Sequence, residues 1–563
     1  MGNMTQATKA KYWLIVFIVI YLTITYIYLI NNTVPTRWDD SLYLTHSVIV
    51  YKALNGLDTL SSTYYGVRNN DASYLFHLFP LLLYRIRAPL ILFLPIPAYF
   101  IFGTGSSGIF ATFLVLILMF MFIFHRLASK LTNPSVAVVA VVVTSTMPLT
   151  IGLSRYFLTE FSLMILTVTW IYVQLQSENF SKRAYIIPLG IILGLGMLMK
   201  VTFPIYISGP ILWGFALALW GRQPEKNFLN ILANSLCVLA IGVLIASTWY
   251  LPNLYWIVHT AFDVGYGSYA KIYSMGEVFD IWTLFKFWQA VVNGGISSYY
   301  FLAILLFFGF KIIKFIKLRK LNRSNLIINE SGIPKAILSI LLMWFSIPFI
   351  IFSFSITKDI RFLLPVFPAL GIIIAQMATE VLGKGLFSTS KVWLLLVFPC
   401  IMFGYMSIPS KINVTLTAGP FIIVTPQIWH TNRPLKQDWK QNHIIDAIEK
   451  DSLNEGIEID SPIGVIPNHM YFNALNFTYY AVKQDKVYQF ESPSQLTDKA
   501  DLDSEIRNLL SMEYVIIKTG EEGLYAYNSK ITPLLLEGSL PFTEIRRFDL
   551  PDGSEGIIYR KIR

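Results

Sequence analysis

At short intervals the chain carries uncharged apolar runs of roughly the length that a bilayer demands. They lie at approximately 12–30, 108–124, 135–152, 161–176, 184–199, 201–220, 229–248, 298–315, 336–354, 362–382 and 391–408. Inside hydrocarbon every backbone N–H and C=O must be satisfied within the protein, so runs of this kind fold as helices. The expectation is a polytopic α-helical membrane protein with about eleven transmembrane helices. Composition agrees: 55% of residues are hydrophobic and 14% charged, against about 25% charged in soluble domains. The first run, Tyr12 to Ile30, is too long for a signal-peptide core and lacks a small-residue cleavage site, so it reads as an uncleaved span. Cys237 and Cys400 both fall inside apolar runs, which argues against a disulfide framework.

The net charge of +10 invites a nucleic-acid reading. The distribution of the basic residues excludes it. Lys9 and Lys11, Arg126 and Lys130, Lys182 and Arg183, Arg222 and Lys226, Lys384 and Lys391 all sit in connections on one side of the bundle. The cluster Lys311, Lys314, Lys317, Arg319, Lys320 and Arg323 falls there too. That pattern is the positive-inside rule, and it marks the cytoplasmic face. An odd number of spans then places the C-terminus outside. The short cytoplasmic loops point to a bacterial plasma (inner) membrane, with lipid bilayer and no nucleic acid among the partners.

The opposite face receives the long connections, 31–107 and 249–297. The first contains Pro89 to Phe102, an apolar stretch with Pro95 and Pro97 that suits an interfacial helix better than a span. From about Ile412 the charge rises. Strand-like runs such as Ile463–Ile466, Lys486–Phe490 and Tyr514–Ile517 alternate with helix-like ones at 438–449 and 503–511. This alternation predicts a C-terminal soluble α/β domain over 412–563, outside the membrane, following a transmembrane domain over 1–411.

The outer-face charges mark the chemistry. Asp39, Asp40, Arg85, Arg87, Arg155, Glu160, Lys200, Lys358 and Arg361 all stand near a span end or the interfacial helix. A single Lys or Arg there is ordinarily a snorkelling side chain. Jointly they describe one membrane face with acids and bases together. A lipid-phosphate substrate needs that: cations to hold phosphate, and a carboxylate to handle a proton or a metal.

Asp39-Asp40-Ser41-Leu42-Tyr43, after the first span, resembles the Asp-Glu-x-x-Tyr element of the GT-C glycosyltransferases, in the branch that holds the protein O-mannosyltransferases and the aminoarabinose transferases of lipid A. Further elements follow in that family's order. Arg87-Ala88-Pro89 and Phe102-Gly103 resemble the two ends of its interfacial helix, and Ser154-Arg155-Tyr156-Phe157-Leu158-Thr159-Glu160 its second outer loop. Gly194 to Lys200 resembles its Gly-x-x-x-Leu-Thr-Lys stretch, and Trp249-Tyr250-Leu251-Pro252-Asn253 its Trp-Tyr-x-x-Asn element. Arg361-Phe362-Leu363-Leu364-Pro365-Val366-Phe367-Pro368-Ala369 is similar to Arg-Tyr-x-Leu-Pro-x-x-Pro-Ala. The likeness covers about 37–370. It departs at Asp40, where the family more often has Glu; at Arg87, where many relatives have Lys; and after Lys200, where Val201-Thr202 replaces Gly-Pro.

The resemblance implies a glycosyltransferase that moves a sugar, with inversion, from a polyprenyl-phosphate donor. The acceptor is a glycolipid, polysaccharide or protein at the outer face. Asp39 matches the first acid of the family element and takes the role of general base, with Asp40 orienting the loop, binding acceptor or holding a metal. Arg87 and Arg361, then Arg155 and Lys200, are the donor-phosphate ligands. Glu160 is a further acid for a metal or a substrate. Tyr43, Tyr64 and Tyr65 near the acidic pair, with Trp249 and Tyr250, are candidate substrate-lining residues, although interface-belt aromatics need no ligand. A carboxylate-rich site would take a hard divalent cation, Mg²⁺ or Mn²⁺. The seven His residues show no ligand spacing, so no metal ligands are assigned, and no organic cofactor is implied. Oligosaccharide transfer to Asn fits less well, since the chain lacks that group's large soluble domain with its peptide-binding motif. The C-terminal domain shows no catalytic motif and no Gly-rich nucleotide fingerprint. The alternative is a transporter or flippase for a lipid-linked or polar substrate, which would gather charge at the bilayer midplane. An inactive structural subunit with the same fold is a second rival.

Overall fold

The computed structural model describes residues 6–55, 87–220, 228–265, 267, 270–271, 274–320, 335–382, 390–425, 427–428, 430–459, 461–494, 501–523 and 528–563. Arg85, Tyr64 and Tyr65 lie outside the described residues. The chain is an integral membrane protein built on a helical bundle, with a strand-containing domain at its C-terminal end.

Each apolar run is helical. Among the described residues five helices are long and apolar enough to cross a membrane: Thr8–Asn31, Ser106–Leu131, Phe228–Asp263, Ala336–Ser353 and Ile360–Val381. A sixth is added if Ile281–Ile296 and Ser298–Phe310, which meet at 100°, form one broken span. Other runs form shorter apolar helices, among them Pro134–Ser145, Arg183–Met199 and Phe203–Leu219. Helix length by itself therefore does not reproduce about eleven crossings.

The bundle's centre is the helix Pro134–Ser145. Every residue from Ser135 to Ser145 is buried, which explains an unbroken Val/Ala run with no polar face. The helix Phe367–Leu382 crosses it at Gly371, where a Cβ would lie 1.9 Å from Thr144 Oγ1, so only glycine fits that crossing. Met147-Pro148 then breaks the run, and a short helix, Pro148–Leu153, leads to the outer face.

Two expected outer loops contain more helix than the sequence reading gave them. Residues 38–54, within the first, form a helix, so Asp39 and Asp40 occupy its first turn, where the helix dipole favours negative charge. The helix Phe228–Gly265 runs 38 residues, roughly 57 Å at 1.5 Å per residue, and passes straight through the start of the expected 249–297 loop. Nothing stops it there: Trp249 to Trp256 is apolar enough to stay helical, and the ring of Pro252 is accommodated within the helix. The expected interfacial stretch forms two short helices, Leu90–Phe93 and Ile96–Phe102, ended by Gly103 at φ 72°. Ile91, Leu92 and Tyr99 are buried on one side, and Phe100, Ile101 and Phe102 are exposed on the other.

The C-terminal domain opens with two short antiparallel ladders, β1 (Leu416–Ala418) with β2 (Phe421–Val424) and β3 (Gln427–Ile428) with β4 (Thr431–Asn432). Its sheet comprises β5 (Ile463–Val465), β6 (Phe490–Glu491), β7 (Tyr514–Lys518), β8 (Phe542–Asp549) and β9 (Glu555–Lys561), in the order β6-β5-β7-β9-β8. β5 is parallel to β6 and β7; β9 is antiparallel to β7 and β8. Helices Gln441–Glu455 and Ala474–Lys483 cover one face, and Leu502–Leu510 and Asn528–Leu536 the other.

This domain grips the acidic helix. Trp38 Nε1 donates to Asn468 Oδ1 at 3.0 Å, and Asn476 Nδ2 donates to Ser41 Oγ at 3.0 Å and to the Thr36 carbonyl. Lys52, buried, donates to the Val482 carbonyl and pairs with Asp485. The position of Asp39 is thus fixed from both the bundle and the soluble domain.

Candidate active site

Asp39 is the hub of the outer-face charges. Its Oδ1 accepts from Arg87 NH2 at 2.9 Å, and its Oδ2 from Arg361 NH1 at 3.2 Å. Arg87 stands just before the Leu90–Phe93 helix. Arg361 is the second residue of the 3-10 turn Ile360–Val366, which feeds the helix Phe367–Leu382. Burial alone would raise the Asp39 carboxyl; Arg87 and Arg361 outweigh it and hold the group down at about 2. The second hydrogen bond of Arg87, from NH1, goes to Tyr43 Oη at 2.9 Å, one helical turn along from Asp39. Tyr43 is buried, so it orients Arg87 from below.

A second pair adjoins the first. Glu160 opens the helix Thr159–Gln176 and is 2% exposed; its Oε1 lies 2.6 Å from Lys200 Nζ and 3.9 Å from Arg361 Nε. Lys200 ends the helix Ile186–Met199. Arg361 therefore stands between two carboxylates. A third, Asp359, lies 2.8 Å from its Nε and accepts from its backbone N–H at 2.9 Å. Three carboxylates (Asp39, Glu160, Asp359) face three cations (Arg87, Lys200, Arg361), so the cluster is neutral as it stands.

Asp40 belongs to a different environment. It is 4% exposed, its Oδ1 has no hydrogen-bond partner, and burial pushes its carboxyl up to about 7 against the pull of Arg37. Arg37 itself lies over the Tyr156 ring at 4.4 Å. Because the folded carboxyl titrates higher than the usual 3.8, the folded state keeps a proton that the unfolded state has lost. Stability from this group is greatest in acid and falls as pH rises from about 4 to about 7. Asp40→Asn is therefore expected to flatten that decline in thermal unfolding curves taken between pH 4 and 8.

Other expected site residues lie elsewhere. Arg155 does not join the cluster around Asp39. It is buried, with its guanidinium 4.2 Å from the Tyr28 ring and 5.3 Å from that of Phe403, and it donates to Ser407 Oγ at 2.5 Å. The turn after Leu153 directs it into the bundle, where aromatic faces replace solvent around the cation. Trp249 and Tyr250 pack on the helix Ile186–Met199: Trp249 is buried, and Tyr250 Oη donates to the Met197 carbonyl at 3.1 Å. Lys358 is buried and donates to the Ser355 carbonyl at 2.8 Å. Sequence reasoning missed Asp359, although it stands two residues before Arg361, and missed His430, which no motif marks.

Every carboxylate of the cluster is already engaged by a cationic side chain. Among the described residues no three His, Cys, Asp or Glu side chains gather as a metal would require.

Residues 87–256 match the family model described as dolichyl-phosphate-mannose-protein mannosyltransferase. ArnT from Cupriavidus metallidurans bound to undecaprenyl phosphate is similar in structure, with a TM-score of 0.54 at 12% identity, over 97% of this chain and 98% of that one. ArnT in the apo state gives 0.53 at 13% identity, with 98% of both chains covered. The Archaeoglobus fulgidus oligosaccharyltransferase tethered to an acceptor peptide containing the NVT sequon gives 0.53 at 13% identity, over 97% of this chain and 74% of that one. No curated protein matches the chain in sequence. The chain therefore shares the fold of ArnT and of the oligosaccharyltransferase, and its residues 87–256 match the mannosyltransferase family model.

Proposed function

We propose that the protein transfers a sugar, with inversion, from a polyprenyl-phosphate donor to an acceptor at the extracytoplasmic face of the plasma (inner) membrane. The observation that carries this reading is the sharing of one carboxylate, Asp39, between two guanidinium groups from Arg87 and Arg361. The similarity to ArnT, solved with undecaprenyl phosphate, supports the donor class.

Arg87 and Arg361 are 37% and 25% exposed at their side chains, so an entering phosphate can reach both. Guanidinium binds phosphate in the same forked geometry as carboxylate. The donor phosphate then competes with Asp39 for its partners. As the guanidinium groups turn to phosphate, the Asp39 carboxylate loses the charges that suppress its basicity, and it becomes a better base only when donor is bound. The acceptor oxygen or nitrogen attacks the anomeric carbon, its proton passes to Asp39, and the bond from that carbon to the phosphate oxygen breaks. The electron pair leaves on the lipid phosphate, where Arg87, Arg361 and Lys200 stabilise it. Glu160 keeps Lys200 charged and in place. The soluble domain, docked on the Asp39 helix, is positioned to admit the acceptor.

The test is turnover by the purified protein supplied with polyprenyl-phosphate sugars, with mass spectrometry of envelope glycolipids, polysaccharides and glycoproteins from cells with and without the chain. A sugar-bearing species that disappears with the chain and is restored by wild type, but not by Arg87→Ala, supports the reading. An unchanged envelope, together with no turnover on any such donor, rejects it.

A further inference from the structure

The connector between bundle and soluble domain passes directly beside the charge cluster. Thr431 Oγ1 donates to the Pro148 carbonyl at 2.7 Å, and Arg433 donates to the Tyr405 carbonyl at 3.0 Å. The approach is close: a Cβ on Gly152 would lie 2.6 Å from the His430 carbonyl oxygen, so the helix Pro148–Leu153 carries glycine where the connector crosses it. This packing delivers the His430 side chain to Asp359. Its Nε2 stands 3.6 Å from Asp359 Oδ1, just beyond hydrogen-bond length, while Asp359 Oδ2 lies 2.8 Å from Arg361 Nε. A line of polar contacts therefore runs from the soluble domain's connector through Asp359 and Arg361 to Asp39.

We propose that His430 is a positioning residue of the outer-face site, holding Asp359 so that the Arg361 guanidinium stays aimed between Asp39 and Glu160, ready for a lipid phosphate. This rests on the transferase reading for its ligand and on geometry alone for the contact. Arg361 carries a fan of fixed donors that is useful only when aimed. Its Nε lies within ion-pair distance of Asp359 and Glu160 without donating a hydrogen bond to either, and its NH1 donates to Asp39. Burial would raise the Asp359 carboxyl; Arg361 and then His430 overcome that and keep it ionised, well below the usual range. Asp359 therefore serves as a permanent anionic anchor, and His430 limits where that anchor can swing. The arrangement also gives the soluble domain a direct influence on the donor site, since a shift of the connector moves His430 first.

The experiment uses full-length protein in detergent, titrated with undecaprenyl phosphate. His430→Ala should weaken binding about twofold to tenfold, the range of an ordinary hydrogen bond, because the contact is longer than a full hydrogen bond to a charged group. His430→Gln, which puts an amide nitrogen near the Nε2 position, should recover most of that loss. Asp359→Asn should weaken binding similarly, and the His430→Ala/Asp359→Asn double variant should bind no worse than Asp359→Asn alone, because the two act through one contact. Additive losses, or a His430→Ala protein that binds like wild type, would overturn the proposal. Thermal unfolding of wild type, His430→Ala, Asp359→Asn and the double variant tests the contact without any ligand. If wild type fails to bind the lipid yet the two substitutions are coupled in unfolding, the donor reading falls and the positioning contact stands. Independent effects on unfolding reject the contact itself.

Discussion

Asp39→Asn is expected to lower the rate of sugar transfer by about 10²–10⁴, the usual contribution of a placed general base, while tightening the binding of the lipid phosphate. The second half of that expectation discriminates between roles. In the wild type the carboxylate holds Arg87 and Arg361 at 2.9 and 3.2 Å, so donor phosphate must displace it. The amide carries no charge and competes poorly. Folding should survive, since Arg87 and Arg361 are partly solvated, Arg87 keeps Tyr43, and Arg361 keeps Asp359. Single-turnover transfer and equilibrium binding of undecaprenyl phosphate measure the two halves separately. A scaffold residue at this position would alter both in the same direction. Turnover within tenfold of wild type would remove Asp39 from the role of base.

The contrast between Asp39 and Asp40 shows what adjacent residues can and cannot reveal in a sequence. The acidic pair announced itself by standing at a span end, and alternation along any regular backbone put the two carboxylates in different directions. What decides their chemistry is tertiary. Asp39 meets Arg87 from 48 positions away and Arg361 from 322 away, whereas Asp40 is enclosed with Arg37 and Tyr156 nearby and one oxygen unpartnered. The ordered motifs did locate Arg87, Glu160, Lys200 and Arg361, because each is tied to the end of a helix and helix ends on one face of a bundle converge. Arg155, a second-rank candidate by position, points away from the Asp39 cluster. A residue in a turn can point outward to the site or inward to the bundle, and the Tyr28 and Phe403 rings that receive it come from helices remote in sequence. His430 could not be read at all, since its relevance depends on how the connector packs against the Pro148–Leu153 helix. Helix lengths misled in the opposite direction: the aromatic segment after Trp249 looked like an outer loop because it exceeded what a bilayer needs, but nothing in it terminates a helix.

Glu160 carries the largest expected effect on stability. Its carboxylate is 2% exposed, lies 2.6 Å from Lys200 and also faces Arg361 at 3.9 Å. Glu160→Gln removes the one carboxylate paired with the Lys200 ammonium and leaves that cation largely enclosed. Breaking a buried pair from one side costs about 3–5 kcal/mol; because the Lys200 side chain retains 23% exposure, the low end of that range is expected. The result is read as a fall in the unfolding temperature in detergent, accompanied by loss of transfer. A second substitution separates the two consequences. Glu160→Gln with Lys200→Met removes both charges and fills the Lys stem with an apolar one, and replacing a whole buried ion pair in this way is often neutral for stability. The double variant should therefore regain most of the unfolding temperature but not the activity, because the cation that assists phosphate departure is gone. If stability and transfer return together, Lys200 takes no part in the chemistry and the Glu160 pair only holds helices in register. If neither returns, Glu160 is needed chiefly to restrain Arg361, and the functional core of the site contracts to Asp39, Arg87 and Arg361.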